Sequence, residues 1–263
     1  MYKRILAIGD IHGEYDKLLD LLAKIDFNPP DDLLVFLGDY LDRGEQPLRV
    51  MGWMLKRRDN PRIVMLRGNH DQMMLDHYLG KEAQKALGWH VDAEDYGDIW
   101  LDAGGDATKS ALDELARFAP RLESRLRARW LSLVGNMPLS FQIEAGGRRF
   151  FFCHAGIDPD APPAAQEPRD LLWGDVPEDY AGEATIVAGH VPVHYKPLVT
   201  PKRILVDTGA CYHHREAEPD KPVWLHFGKL SCVDVLSGRI WQSSRWPYNP
   251  AGDLSFRARR REA

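Results

Sequence analysis

Residues 5–12 read ILAIGDIH, a short apolar run that ends in two side chains of the kind that bind metals. Five further runs along the chain end in the same way. The polar side chains that follow the six runs are Asp10 with His12, Asp39, Asn69 with His70, His154, His190 and Asp207. A continuous apolar run predicts a strand buried on both faces, and ligands in layered α/β proteins bind beyond the carboxyl ends of strands. We therefore expect these side chains to meet at one edge of a sheet.

The composition indicates a globular protein with a substantial core. The chain has 263 residues, of which 44% are hydrophobic, and a net charge of -5. This length allows one large α/β domain or two small ones. The modest charge gives no general reason to expect binding to nucleic acid or to membranes. The composition does not indicate the oligomeric state.

The cysteines and the apolar runs bear on the cellular compartment of the protein. Cys153, Cys211 and Cys232 lie far apart and without pair spacing, which suits a reducing environment. We recognise no signal peptide, and the longest apolar runs are too short to cross a bilayer. We therefore expect a cytoplasmic protein.

The order of predicted elements indicates the fold class. The first part alternates helices at 14–25 and 46–58 with strands at 33–37 and 62–66, which predicts βαβ units with parallel strands. Residues 71–133 are mostly helical, with a break at Gly104-Gly105. Short runs separated by Gly-rich or Pro-rich turns then predict antiparallel strands. These strands are 139–144, 149–153, 185–188, 203–206, 223–227, 230–235 and 239–242.

This pattern predicts an α/β (α+β) fold, a two-sheet β-sandwich of mixed sheets flanked by helices. We expect a single domain over residues 1–245, with a helical insertion at about 71–134. A basic C-terminal tail follows at 246–263 and is interpreted as a solvated end.

The mixture of Asp, His and Asn favours a pair of transition metals over calcium, because imidazole suits borderline metals. Two metals about 3.5–4 Å apart can hold a bridging hydroxide and both ends of an in-line displacement at phosphorus. Such a pair needs one bridging carboxylate with separate ligands on each side. A single Asp or His after a strand is more often a loop residue or a helix cap, but six such events are hard to ascribe to capping.

Three sequence blocks carry a family resemblance. Residues 9–13 (GDIHG), 38–44 (GDYLDRG) and 67–71 (RGNHD) resemble, in order and spacing, the signature blocks of the PPP-type serine/threonine phosphatases of the calcineurin-like phosphoesterase superfamily. Residues 153–156 (CHAG) and 188–190 (AGH) resemble the segments with the family's two later metal histidines. Residues 100–105 and 207–210 are similar to the bacterial and phage branch, typified by the lambda phage protein phosphatase. The resemblance covers about residues 2–242 and implies the metallo-dependent phosphatase fold.

The resemblance also implies roles for individual residues. Two divalent metal ions are implied, with Mn²⁺ expected and Fe, Zn, Co or Ni as alternatives. Asp39 is the implied bridge between them. The implied metal ligands are Asp10, His12, Asp39, Asn69, His154 and His190. His70 is implied as the general acid that protonates the leaving alkoxide, Asp42 holds its ring, and Arg43 grips the phosphoryl oxygens.

The chemistry of these residue types agrees with the implied roles. A positioned histidine contributes ~10²–10⁴-fold to such a reaction, an adjacent carboxylate fixes its tautomer, and an arginine fork matches phosphate oxygens. The expected nucleophile is hydroxide between the metals, because metal binding lowers the pKa of water to about 7. Arg67 is assigned either a second phosphate contact or a structural ion pair. Asp207 is interpreted as supporting a metal-binding histidine, whereas His213 and His214 are interpreted as surface residues.

The sequence departs from the family pattern at two places. Many members carry an arginine shortly after a Leu-Leu-Trp segment, but here residues 171–173 are followed by GDVP, and Arg169 before them is a candidate substitute. Residues 213–227 form a polar insertion that either borders the site or is a surface hairpin.

Three functions are compatible with the sequence. The leading one is a metal-dependent phosphomonoesterase acting on phosphoserine or phosphothreonine in proteins. The second is a symmetrical diadenosine tetraphosphate (dinucleoside polyphosphate) hydrolase, whose members usually have Ala rather than Asp42 before the arginine. The third and least favoured is a non-catalytic module that binds a phospho-ligand. The expected partner is thus a phosphorylated protein or a small phosphoester.

Overall fold

Two mixed sheets form the framework of the computed structural model, which describes residues 2–89, 95–193, 195–214 and 228–244. The strands are β1 (Arg4–Ile8), β2 (Asp32–Phe36), β3 (Ile63–Met65), β4 (Ser140–Ala145), β5 (Arg148–Cys153), β6 (Thr185–Ala188), β7 (Leu198–Val199), β8 (Arg203–Leu205), β9 (Ser231–Asp234) and β10 (Ile240–Gln242). The first sheet has the order β10-β9-β1-β2-β3, and the second has the order β4-β5-β6-β8-β7. The predicted two-sheet sandwich flanked by helices is therefore confirmed.

Six α-helices are found in the described part of the chain. They are α1 (Tyr15–Ile25), α2 (Pro47–Leu55), α3 (Asn69–Ala86), α4 (Asp106–Phe118), α5 (Pro120–Gly135) and α6 (Pro168–Trp173). A π-helical turn, Leu101–Gly105, precedes α4. No helix among the described residues is long and apolar enough to cross a membrane.

The first sheet explains why the early apolar runs were recognisable. β1 pairs in parallel with β2, and β2 pairs in parallel with β3. In β1, Ile5 and Ala7 belong to the core between the sheets, whereas Leu6 and Ile8 pack in the cluster beneath the helices. Successive side chains of a strand point to opposite faces. Both faces are therefore covered, and the strand is apolar throughout.

The second sheet corrects the predicted antiparallel pairing. β5 pairs in parallel with β6, and β6 pairs in parallel with β8. Antiparallel pairing is found only at the borders of this sheet, between β4 and β5 and between β7 and β8. Parallel strands need a long crossover, and residues 154–184 provide one between β5 and β6. The Gly146-Gly147 turn, with φ angles of 59° and 71°, joins β4 to β5 as a hairpin.

The three cysteines are free and buried. The helical stretch after β3 begins with α3 at Asn69, so Asn69 and His70 lie in the first turn of a helix. The predicted strand at 223–227, the centre of the polar insertion and the predicted tail at 246–263 lie outside the described residues.

Candidate metal centre

The loops that follow the strands come together through backbone hydrogen bonds. The backbone N–H groups of Ile11 and His12 donate to the carbonyl of Asp39 at 3.0 and 2.9 Å. The N–H of Gly189 donates to the carbonyl of His154 at 2.8 Å, which joins the two loops of the second sheet. The loops after β1, β2, β5 and β6 therefore come together at one site, the cup.

Unusual backbone conformations are concentrated at this cup. Apart from Asp26, the described non-glycine residues with positive φ are His12, Asp39, Asp42, Arg43 and His190. Such conformations cost on the order of 1–3 kcal/mol each and persist where the surrounding structure fixes them. Their coincidence with the predicted residues marks the cup as the candidate functional site.

Asp39 lies between two groups of candidate metal ligands. The ligand atoms of His12, Asp39 and His70 all lie within 4.8 Å of one another, as do those of Asp39, His154 and His190. Asp39 Oδ2 is 3.4 Å from His12 Nε2, whereas Oδ1 is 3.5 Å from His154 Nε2. The two oxygens of one carboxylate thus face different histidines, as a bridging ligand requires.

Asn69 and Asp10 complete the set. Asn69 Oδ1 lies 2.8 Å from His154 Nε2, so the amide oxygen points at the second group. The backbone N–H of His190 donates to both oxygens of Asp10 at 3.1 and 3.2 Å, which brings the first strand's carboxylate to the loop after β6. The structure therefore brings all six predicted ligands together.

Backbone carbonyls set the tautomers of two histidines. His12 Nδ1 donates to the carbonyl of Leu41 and His154 Nδ1 to that of Leu37, each at 2.9 Å. The Nε2 atoms therefore keep their lone pairs and face Asp39. Neutral imidazole with a hydrogen-bonded second nitrogen is the form in which histidine binds metals.

The electrostatics of the cup also suit cations. Burial and then the Asp207 and Asp39 charges hold the pKa of Asp10 well above its usual range. Burial raises the pKa of Asp39, but the surrounding histidines outweigh this effect and lower it. Burial lowers the pKa of His190 to about 4, so its ring is neutral at pH 7. Neutral imidazoles and crowded carboxylates fit divalent ions, which bind imidazole nitrogens and balance negative charge.

His70 is also hydrogen-bonded to Asp42 and Arg43. His70 Nδ1 donates to Asp42 Oδ2 at 2.8 Å, and Arg43 Nη2 donates to His70 Nε2 at the same distance. Arg43 Nη1 donates to His12 Nε2 at 2.9 Å and to the Tyr212 hydroxyl at 3.2 Å. The guanidinium therefore lies among His12, His70 and Tyr212. The predicted acid, its carboxylate and the predicted phosphate-binding arginine lie side by side.

Arg67 lies inside the molecule, against the end of α5. Its side chain is 1% exposed. Its Nε and Nη2 atoms donate to the carbonyls of Val134 and Gly135 at 3.1 and 2.7 Å, and its Nη1 donates to Gln72 Oε1 at 2.7 Å. The carbonyl end of α5 attracts this cation because a helix carries negative partial charge there. These contacts hold Arg67 against α5 and Gln72, which favours the structural alternative over the phosphate contact.

The weaker assignments have mixed outcomes. Asp207 lies near Asp10, and its Oδ1 accepts from the N–H of Gly209 at 2.8 Å rather than from a metal-binding histidine. Arg169 is exposed in the first turn of α6. The side chains of His213 and His214 lie outside the described part of the structure.

Sequence reasoning missed Asp71, Trp100, Thr108 and Tyr212 as contributors to this site. Asp71 Oδ2 accepts from the backbone N–H groups of Asp39 and Gly68 at 3.0 and 2.9 Å, so it holds the loop that carries Asp39. Its place at the end of the RGNHD block was the available signal. Trp100 and Thr108 both donate to the carboxylate of Asp42.

The comparisons with known proteins agree with this geometry. The family described as calcineurin-like phosphoesterase matches residues 3–233. "Serine/threonine-protein phosphatase 2" of Salmonella typhimurium is 27% identical over 80% of this chain and 89% of its own length. The symmetrical bis(5'-nucleosyl)-tetraphosphatase of Erwinia tasmaniensis is 29% identical over 78% of this chain and 89% of its own.

Among solved structures, the fold is similar to that of a putative diadenosine tetraphosphatase. The TM-score is 0.60 with 20% identity, and the match covers 94% of this chain and 97% of that one. This family uses a binuclear divalent metal centre, and the two ligand groups that share Asp39 fit it. The chain therefore belongs to the calcineurin-like phosphoesterase family, whose members are phosphoester hydrolases.

Proposed function

We propose that this phosphoesterase hydrolyses phosphoserine and phosphothreonine in proteins, by direct attack of water on phosphorus. The observation that carries the proposal is the hydrogen-bonded series Asp42–His70–Arg43 beside the shared carboxylate Asp39. In this proposal, His70 is the proton donor and Arg43 the phosphate-binding cation, next to the candidate metal ligands around Asp39. A seryl alkoxide needs all three functions, because it is a poor leaving group without a proton.

In the proposed metal centre, Asp39 is shared by two metal ions, and the other ligands form two sets. Asp10 and His12 would hold the first ion, and the second would be held by Asn69, His154 and His190. When bound, two such ions polarise the phosphoryl oxygens and lower the pKa of a water molecule toward 7. We propose Mn²⁺ as the native pair, because the ligands combine imidazole nitrogens with carboxylate and amide oxygens.

The side chains of the cup have separate proposed tasks. Arg43 offers two N–H groups from one planar guanidinium, which matches two oxygens of a phosphoryl group. His70, with Nδ1–H held by Asp42, delivers a proton from Nε2 to the leaving serine or threonine oxygen. The ionised Asp42 stabilises the imidazolium that must form before this transfer.

The cysteines support direct attack over a cysteinyl phospho-enzyme. Cys153 lies in the buried end of β5, and burial raises the pKa of its thiol. Burial also raises the pKa of Cys211, which is near Arg43, to about 12. A thiol with so high a pKa supplies very little thiolate at neutral pH, and the thiolate is the nucleophile.

Hydrolysis of dinucleoside polyphosphates is the second candidate. The relative from Erwinia tasmaniensis and the similar solved structure both carry such names. They match 78% and 94% of this chain, against 80% for the phosphatase relative. We rank this activity second because Asp42 engages His70 directly. A protonated histidine matters most for an alkoxide, whereas a phosphate leaving group departs with less assistance.

A paired substrate assay tests the proposal. Protein loaded with Mn²⁺ is given a phosphoserine peptide and, separately, diadenosine tetraphosphate, and kcat/KM is measured for each. We expect the peptide to be the better substrate. Turnover of the dinucleotide alone would replace the first candidate by the second. Absence of turnover with both, in protein that holds two metals, would leave a binding module.

A further inference from the structure

The carboxylate of Asp42 is held by more than the histidine. Trp100 Nε1 donates to Oδ2 at 2.8 Å, and the Thr108 hydroxyl donates to Oδ1 at 2.7 Å. The same hydroxyl oxygen accepts from the backbone N–H of Asp42 at 2.9 Å. Trp100 and Thr108 are fully buried, and Asp42 is 1% exposed. Both oxygens and the backbone of Asp42 are therefore fixed by side chains from the helical stretch.

The same stretch also fixes the neighbouring arginine. The backbone N–H of Arg43 donates to the carbonyl of Gly104 at 2.9 Å, and its Nε donates to the carbonyl of Ala103 at 3.3 Å. Asp42 and Arg43 have φ angles of 72° and 64°. A non-glycine residue holds such angles only where its surroundings fix them. The contacts from residues 100–108 supply that constraint.

The two glycines of this stretch permit the close approach. A Cβ at Gly105 would lie 2.4 Å from the Trp100 ring, and one at Gly104 would lie 2.6 Å from Arg43 Cγ. Gly104 also has a φ of 112°, which a side chain disfavours. These glycines lie in the π-helical turn 101–105, and such turns are frequent at functional sites. The turn is thus shaped around Trp100 and Arg43.

We propose that Trp100 and Thr108 are positioning residues for the His70–Asp42 pair. This inference rests on the proposed function and extends it to two residues that do not touch the substrate. The two donors hold both oxygens of Asp42 in addition to the bond from His70, so the carboxylate is kept from rotating away from His70 Nδ1. His70 Nε2 is consequently aimed into the cup. This orientation of His70 should increase the rate most for a leaving group that must be protonated, such as a serine alkoxide.

Two variants remove these hydrogen bonds. Trp100→Phe loses one bond together with part of the buried ring, whereas Thr108→Val loses both bonds of the hydroxyl at nearly constant volume. Trp100→Phe removes the indole N–H, and Thr108→Val replaces the hydroxyl by a methyl group. We expect each to lower kcat for a phosphoserine peptide about tenfold, with KM unchanged. Turnover of p-nitrophenyl phosphate should fall less than about twofold, because nitrophenolate leaves without a proton. Thr108→Ser keeps the hydroxyl and should restore the peptide activity.

Matched controls separate positioning from packing. Trp130 is fully buried and packs on Tyr40, and its indole N–H has no hydrogen-bond partner among the described residues. Trp130→Phe therefore removes a similar volume without touching Asp42. Thr185 is also buried and hydrogen-bonded, but in the second sheet, to the carbonyl of Pro201. Thr185→Val is the control for Thr108→Val. In both controls, kcat for the phosphoserine peptide and kcat for p-nitrophenyl phosphate should change by the same factor.

A spectroscopic measurement tests the positioning without relying on turnover. The Nδ1 proton of His70, observed by NMR in protein loaded with diamagnetic Zn²⁺, should be protected from exchange in the wild type. It should exchange faster in Trp100→Phe and Thr108→Val, but not in the controls. If the wild type hydrolyses no phosphoester, the proposed function fails, and this signal still judges the positioning. Equal losses on both substrates, or an unchanged His70 signal in both variants, would overturn the inference.

Discussion

Asp39 is the residue on which the proposed metal centre depends. Its two oxygens lie 3.4 and 3.5 Å from nitrogens of different histidines, His12 and His154. Its backbone carbonyl also accepts from the loop after β1. A neutral side chain at this position would keep the shape but lose the charge that balances two cations.

We therefore expect Asp39→Asn to bind fewer than two metal ions per chain and to lose roughly 10²-fold or more in turnover. Elemental analysis after removal of loosely bound metal, together with phosphopeptide kinetics, measures both effects. Asp59→Asn is the control, because the Asp59 side chain is 84% exposed and pairs only with Arg58 among the described contacts. Full metal loading of Asp39→Asn would contradict the bridging role.

His70 is expected to act as an acid rather than to hold the metals. His70→Asn should remove most phosphoserine turnover, on the order of 10²–10⁴-fold, while both metals remain bound. The loss should be smaller with p-nitrophenyl phosphate, whose leaving group needs less protonation. Metal content and kinetics with both substrates test this assignment. Unchanged turnover would remove His70 from the mechanism, and loss of metal would make it a ligand.

Single residues also show the limits of the sequence. Asp10, Asp39 and His154 could be predicted because each follows an apolar run, so their place in the fold is tied to a visible pattern. Trp100 and Thr108 contact Asp42 across 58 and 66 residues of chain. Hydrogen bonds between side chains so far apart in the sequence leave no periodic pattern of residues from which they could be predicted. The sequence left two roles open for Arg67 because the direction of its side chain depends on the carbonyl end of α5.

At the level of elements, the strands were easier to predict than their directions. Apolar runs identify β1, β2, β5 and β6 because these strands are buried. Their residue pattern does not report whether a neighbour runs parallel or antiparallel. The parallel pairing of β5 with β6 depends on the crossover that contains α6. That six-residue helix is too short for a periodic signal.

The glycine at the end of β2 gives a prediction at this scale. Gly38 has a φ of 110°, and an added Cβ would lie 2.6 Å from the Gly68 backbone and 2.9 Å from His154 Nδ1. We expect Gly38→Ala to lower the free energy of unfolding by about 1–3 kcal/mol, measured by urea denaturation. Gly52→Ala, in the middle of α2 with open space around it, should instead raise it by about 0.5–1 kcal/mol. Equal behaviour of the two variants would contradict the steric account.

At the scale of the whole molecule, the buried charges of the cup link stability to pH. Asp207 is buried, and burial raises its pKa from 3.8 to about 7. In metal-free protein, the folded state therefore keeps a proton between about pH 4 and 7 that the unfolded state has lost. The contribution of this residue to the free energy of unfolding is consequently present below about pH 4 and is lost as the pH rises to 7.

Asp207→Asn removes this pH dependence. In protein stripped of metal by a chelator, we expect the variant to gain stability relative to the wild type as the pH rises from 4 to 7. The gain should be on the order of 1.4 kcal/mol per unit of pKa difference. Urea denaturation across this range measures it. Parallel stability curves for the two proteins would show that Asp207 titrates in the folded state as it does in the unfolded chain.

The cup draws its side chains from both layers of the sandwich: Asp10 and Asp39 follow strands of the first sheet, and His154 and His190 follow strands of the second. Cations bound there would cross-link the two sheets, because each sheet supplies part of their ligands. Sliding of one layer over the other by a fraction of an ångström would disturb the coordination long before the chain unfolds. Substitutions in the core between the sheets would then change the catalytic rate even where they leave the chain folded.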